Sequence, residues 1–214
     1  MTDPEFNPQG TDNVTEIEAE TPVAVKKEPF ISSLLEYVEI LVLSVCAVLL
    51  IFTFGIRLCR VNGNSMMRTL HHNEMLLTVS LAEVEAGDII VFHQTSEIND
   101  TFNEPIVKRV IATGGEHVHI DYDAKKVYVS SDETFTEDEV IDESAYAYFT
   151  NDFWRFRGAT DYQVPEGHLF VMGDNRNNSA DSRDALLVGF VDERRVLGKV
   201  LLRIMPLNAF GKVE

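Results

Sequence analysis

Basic side chains are scarce in this chain: 18 Lys and Arg stand against 35 Asp and Glu, a formal net charge of −17 over 214 residues. A protein that grips a phosphate backbone needs a basic face, so a nucleic-acid partner is excluded. The acidity keeps a soluble portion soluble. Cysteine is scarcer still, with two. Cys46 lies inside an apolar run and Cys59 just past its end, and two such positions cannot meet without distortion, so no disulfide is expected. Neither cysteine suits lipid attachment, because Val45 and Leu58 before them are too bulky. There is no internal repeat and no amphipathic helical pattern. A second long apolar run is also missing, which limits the chain to a single membrane crossing.

The one long apolar run is Ile40–Ile56, seventeen residues without a charge. Leu34, Leu35, Tyr37 and Val38 extend it to the ~20 residues that cross a bilayer as helix. A buried core helix would show a polar face. Beyond Glu39 this run has none, so residues 30–56 are expected to form a transmembrane helix. Ahead of it, residues 1–29 carry seven acidic groups and two lysines with few large apolar side chains. Such a segment cannot bury enough surface to offset its ordering entropy and is expected to be a disordered tail. The run is followed by Gly-Ile-Arg-Leu-Cys-Arg rather than a small-residue cleavage site, which argues against a cleaved leader. Lys26 and Lys27 on one side and Arg57 and Arg60 on the other leave the orientation open.

After Arg60 the pattern is β. Glu74–Val79, Asp88–His93, Pro105–Ala112, His117–Ile120, Lys126–Ser130, His168–Met172 and Leu197–Ile204 are short, apolar, rich in β-branched residues and separated by turn signals. Between Ile120 and Gly167 the composition shifts. Acidic side chains far outnumber Lys125, Lys126, Arg155 and Arg157, and the apolar content is aromatic: Tyr146, Tyr148, Phe149, Phe153, Trp154 and Phe156. Residues 121–166 are therefore expected to be a cap-like insertion whose aromatics form a small core of their own. Residues 57–120 and 167–214 are expected to form the main β core.

Three polar stretches stand out against this frame: Asn62–Leu70 with Ser65 after a Gly-Asn turn signal, Val107–Ile111 around Lys108, and Gly173–Arg183. A serine nucleophile needs a base beside it. No histidine is compelling in that role. His71 and His72 follow Ser65 too closely to reach back, and His93 and His168 stand alone at strand ends. His117 and His119 alternate on one strand and could hold a metal, but no third ligand accompanies them. Lys108 shares a strand face with Ile106 and Val110, while Arg109 points the other way. A lysine on an apolar face either snorkels at an edge or is desolvated, and desolvation lowers its pKa toward the range of a general base. The strand pattern alone favours snorkelling. Alone, Gly173–Arg183 reads as a polar loop that satisfies its own hydrogen bonds, or as a cation-binding turn without the acidic spacing of a calcium loop.

Taken together and in this order behind one apolar run, the three stretches resemble the bacterial type I signal peptidases, membrane-bound Ser/Lys proteases. The resemblance runs from about Leu34 to Lys199 and includes Lys108-Arg109-Val110-Ile111-x-x-Gly-Gly-Glu and Gly87-Asp88-Ile89-Ile90-Val91-Phe92. It implies a mostly β catalytic domain with a small β-rich cap, preceded by one transmembrane helix. It implies Ser65 as nucleophile, Lys108 as general base and the Ser65 N–H as an oxyanion donor. Ser179 would orient the base, and Arg109 with Asp174 and Asp181 with Arg183 would buttress the site. Some relatives carry a serine hydroxyl two residues before the nucleophile. Gly63 stands there in this chain, so only its backbone could contribute. Arg68 replaces a usual proline and Asn177 a common aspartate, and neither change removes a catalytic group.

The activity so implied is endoproteolytic removal of signal peptides, with cleavage after a small residue that has another small residue two positions earlier. No metal or organic cofactor is implied. Partners would be signal peptides of exported preproteins and the lipid bilayer, with the secretion translocon nearby. The tail would be cytoplasmic and the rest extracytoplasmic, at the plasma membrane. The nine residues Arg57–Ser65 reach about 30 Å when fully extended, so Ser65 is expected close to the outer membrane face. Two rivals remain. One is an idle relative that scaffolds exported or pilus proteins, marked by loss of the serine or the lysine. The other is the self-cleaving repressor group, which is cytosolic and carries a DNA-binding domain.

Overall fold

A computed structural model of the protein describes residues 30–94, 104–149 and 158–213. The expected disordered tail, together with Phe153, Trp154 and Phe156, lies outside the described residues. The chain clusters into two units, Met1–Leu43 and Ser44–Glu214. The first holds most of helix α1 (Phe30–Leu50), and the second holds everything that follows. Residues Ser32–Thr53 are long and apolar enough to cross a membrane, and this is the one such helix among the described residues.

The expected helix end at Ile56 is corrected. Regular helix stops at Leu50, a single wider turn covers Ile51–Gly55, and Ile56 already begins strand β1 (Ile56–Arg60). An apolar run cannot reveal this change. Ile, Phe and Leu suit a membrane helix and the first strand of a sheet equally well.

Eleven strands follow among the described residues. After β1 come β2 (Met75–Val79), β3 (Ile89–His93), β4 (Pro105–Ala112), β5 (His117–Asp121) and β6 (Lys126–Ser130). Then come β7 (Asp161–Gln163), β8 (His168–Met172), β9 (Val191–Asp192), β10 (Val196–Met205) and β11 (Gly211–Lys212). The large sheet has eight strands in the order β1-β2-β10-β3-β4-β8-β9, with β11 on β10. The small sheet has three, in the order β6-β5-β7. Every pairing between these strands is antiparallel. Central strands β3 and β4 are buried on both faces over most of their length, which explains their unbroken Ile/Val runs.

One face of the large sheet packs Leu76, Ile89, Val91, Val107 and Val200 beneath Met66 and Leu70 from the Ser65 turn. The other packs Ile90, Phe92, Val110, Leu169 and Val171 against Val188 and Val191. Burying Met66 and Leu70 contributes about 2 kcal/mol each and pins the turn from below.

The expected insertion boundary also moves. β5 was expected in the main core, but it pairs with β6 and β7 in the small sheet. Its alternation of buried Val118 and Ile120 with half-buried neighbours suits either sheet, so only pairing assigns it. Among the described residues the small sheet has no separate core. Val118, Ile120 and Val127 pack with Ile111, Ala112, Phe170 and Met172 from β4 and β8.

Candidate active site

The Ser65 turn starts at Gly63, whose φ of +94° is a conformation that side chains rarely adopt. The Gly63 N–H donates to His72 Nδ1 at 3.2 Å, so it is already engaged. Leu70 N–H closes the turn on Met66 O at 2.8 Å. Between these anchors Ser65 is half-buried, and its N–H meets no acceptor among the described residues.

Lys108 comes from the middle of β4, opposite Ile90 of β3. Its residue exposure is 4%, and its Nζ lies 2.9 Å from Ser65 Oγ. The amine also donates to Val107 O at 3.0 Å. Burial lowers its pKa to about 8, against the opposing pull of Asp181 and Asp174 and with help from Arg183. A neutral amine at this distance can accept the hydroxyl proton, because its lone pair is then free.

Beside Lys108, Arg109 is opposite Ile89 and Met172 and forms a two-pronged pair with Asp174. Nε to Oδ1 and Nη2 to Oδ2 both measure 2.9 Å. Its remaining arm donates to Gly87 O at 2.9 Å. Thr69 Oγ1 donates to the same Asp174 carboxylate, which ties the far end of the Ser65 turn to this pair.

Asp181 and Arg183 form a second buried pair, with two contacts of 2.8 Å. Asp181 also accepts the Gly173 N–H at 3.0 Å. Burial alone would raise the Asp181 pKa, but Arg183 and the Gly173 N–H hold it below the ordinary carboxylate value. Ser179 is buried beside Asp181 without closing a well-formed hydrogen bond. No hydrogen bond joins it to Lys108 Nζ, whose second partner is the Val107 carbonyl. Gly173 is needed for closeness: a Cβ there would sit 2.2 Å from Ser179 Oγ and 2.5 Å from Ser65 O.

A third buried pair had no signal in the sequence. Arg176 is fully buried, and both guanidinium arms reach the Glu143 carboxylate. Glu143 lies 33 residues earlier, inside the insertion. The described aromatics that follow it, Tyr146, Tyr148 and Phe149, do not form a separate core among themselves. Tyr146 faces the Arg109 guanidinium at 4.0 Å from its ring centre and Arg176 at 5.9 Å. Burial, with Glu143 next, pushes its hydroxyl pKa up to about 12. Tyr148 takes Arg68 over its ring at 4.6 Å. Phe149 alone of the described island packs on the shared core. Asn177 is buried in the Gly173–Arg183 loop.

His72 does reach back into the Ser65 turn, where it accepts the Gly63 N–H, but none of the described histidines bonds to Ser65 or Lys108. His71 faces Glu74 at 3.4 Å, and His119 pairs with Asp161 at 2.7 Å while its ring rests against Tyr128 and Phe135. No grouping of three metal-capable side chains occurs among the described residues.

A half-buried serine hydrogen-bonded to a desolvated lysine, with a free N–H at the serine, is the equipment of a hydrolase that forms an acyl intermediate. The family described as "Signal peptidase, peptidase S26" matches residues 34–205, and the chain belongs to it. Among curated relatives, signal peptidase I of Bacillus licheniformis is 33% identical over 192 residues, covering 86% of this chain and 95% of that protein. Signal peptidase I T of Bacillus subtilis is 32% identical over 189 residues, covering 84% and 90%. A crystal structure of a signal peptidase I from Enterococcus faecalis aligns at 29% identity over 56% of this chain and 98% of that one, with a TM-score of 0.37.

Proposed function

We propose that this peptidase removes signal peptides from exported preproteins, with Ser65 as nucleophile and Lys108 as general base. The observation that carries the reading is the 2.9 Å contact between Ser65 Oγ and a buried amine whose pKa lies near 8. Neutral Lys108 takes the hydroxyl proton as Oγ attacks the scissile carbonyl carbon. The oxyanion that forms meets the Ser65 N–H. The intermediate collapses, and the Lys108 ammonium passes its proton to the departing amine, which becomes the N-terminus of the mature protein. Water then attacks the acyl–Ser65 ester and loses a proton to Lys108; the acyl–Oγ bond breaks, Lys108 returns that proton to Ser65 Oγ, and the signal peptide leaves with a new carboxyl end.

Asp174 and Asp181, each neutralised by its own arginine, hold the strand and loop that carry these groups without supplying a proton. Ser179 fills the space beside Gly173 and Ser65. The apolar Ser32–Thr53 segment supports a membrane anchor, with the catalytic portion on the outer side, where cleavage sites emerge near the secretion translocon. Membrane attachment would raise local substrate concentration rather than add catalytic groups.

The test is to incubate purified protein in detergent with a preprotein and sequence the new N-terminus. Cleavage after a small residue with another two positions earlier is expected. Ser65→Ala and Lys108→Ala should each abolish it with the fold intact, because each removes half of one proton-transfer unit. Full activity in either variant ends the Ser/Lys assignment.

A further inference from the structure

Both peptide groups that flank Ser65 are held by one residue. Asn175 Nδ2 donates to Asn64 O at 3.0 Å, and the Asn175 backbone N–H donates to Ser65 O at 2.9 Å. A trans peptide is planar, and its N–H points opposite its C=O. Holding Asn64 O therefore fixes the direction of the Ser65 N–H, the group that meets no acceptor. Asn64 O has one other donor, the more distant Met67 N–H at 3.3 Å.

Asn175 is 2% exposed and is itself clamped from the insertion. It forms a parallel bridge with Tyr148. Tyr148 N–H donates to Asp174 O at 2.7 Å, and Arg176 N–H donates to Tyr148 O at 2.9 Å. The same short segment is anchored by Glu143 on Arg176 and by Tyr146 against the Arg109 and Arg176 guanidiniums. Residues 143–148 thus belong to the scaffold of the nucleophile rather than to an appended cap.

We propose that Asn175, clamped by the Glu143–Tyr148 segment, is a positioning residue for the reaction: it aims the Ser65 N–H at the developing oxyanion. The proposal rests on Ser65 being the nucleophile, as set out above. It assigns Asn175 no contact with substrate. Its effect should therefore fall on kcat and leave KM and the Lys108 titration in place.

The experiment compares the full-length protein with Asn175→Ala, Asn175→Asp and Glu143→Gln on one preprotein, at a pH above the Lys108 titration. Asn175→Ala keeps the backbone N–H and loses the side-chain amide, and with it the bond to Asn64 O. Outright removal of an oxyanion donor costs about 100- to 1,000-fold in kcat, so misaiming one should cost about 30-fold, with KM changed less than about twofold. Asn175→Asp is the same size but has no donor for Asn64 O, so it should be at least as slow as Asn175→Ala. A residue that merely fills space would be rescued by aspartate. Glu143→Gln should lower kcat by about fivefold, again with KM unchanged.

Circular dichroism checks folding, and if the alanine variant is unfolded the isosteric aspartate variant decides. Wild-type kcat in the folded Asn175 variants, or a loss confined to KM, overturns the proposal. Ser65→Ala is measured alongside. Activity in that variant would sink the nucleophile assignment instead, whereas an inactive Ser65→Ala beside fully active Asn175 variants would sink only the inference about Asn175.

Discussion

The Ser65 cluster and the small sheet use charge in opposite ways. Around Ser65, three ion pairs are almost wholly buried: side-chain exposures are 5% and 0% for Arg109–Asp174, and 0% and 1% for Arg183–Asp181. They are 0% and 9% for Arg176–Glu143. In the small sheet, Lys126–Glu137 is exposed at 40% and 76%, and His119–Asp161 at 33% and 65%. A surface pair gives water up only partly and is screened by it, so it contributes little. A buried pair has lost its water, so each partner depends on the other for solvation, and the pair then fixes geometry more than it adds stability. Buried charge here lines up the turn, strand and loop that meet at Ser65. Exposed charge in the small sheet keeps that surface wet.

The largest effect should come from breaking one buried pair. Asp174→Ala strands the Arg109 guanidinium in the interior and removes the acceptor of Thr69. A loss of about 3–5 kcal/mol is expected in denaturant unfolding, together with loss of processing. If that variant unfolds at the wild-type midpoint, the contrast between the two regions is wrong.

Next comes Lys108, the buried charge without a carboxylate in contact. Its pKa falls from 10.5 to about 8 on folding. Between those values the unfolded chain holds a proton that the native protein does not, so stability rises with pH across that window. Below pH 8 the unfavourable term is fully present, at about 3 kcal/mol from the conversion of pKa shift to energy. Lys108→Met should therefore be inactive yet more stable at pH 7 by about 2 kcal/mol, with a flatter rise in stability between pH 8 and 10. In the active protein, kcat/KM should climb through a midpoint near pH 8, and at pH 6 it should be about 100-fold below its plateau. A flat pH–rate profile over pH 6–9 contradicts a lysine base.

The smallest effect belongs to the small sheet. Lys126→Ala should leave kcat unchanged and move Tm by no more than about 1 °C. A loss comparable to that of Asp174→Ala would show that the exposed pairs also hold the structure together.

Much of the β framework was legible in the chain. Pro105–Ala112, Lys126–Ser130 and His168–Met172 were expected with the ends they have, and the other four expected strands differ by one residue, at one end for β2, β3 and β5 and at both ends for β10. These strands share β-branched cores bounded by turn residues, which is a local property. The strands not anticipated are β1, which begins on the last residue of the apolar run, and the two- and three-residue pieces β7, β9 and β11, too short to carry a period. Ser65 and Lys108 were singled out by a family resemblance carried on contiguous motifs. Asn175 lies inside one of those motifs, but nothing marked which of its polar residues would reach the Ser65 turn. Glu143 looked like one more acid in an acidic stretch.

By itself, the sequence determined the apolar span and the run of strands after it, and the resemblance carried by three contiguous motifs pointed to Ser65 and Lys108. Each of these is encoded in residues adjacent in the chain, through hydropathy, alternation and motif spacing. The tertiary structure alone decided which side of the sheet boundary β5 joins, that Lys108 is desolvated rather than snorkelling, and that the insertion is tied to the loop holding the Ser65 turn through Glu143, Tyr146 and Tyr148. Those are contacts between residues tens of positions apart. Hydrogen-bond direction, exclusion of water and the pairing of buried charges exist only once the chain has closed around them.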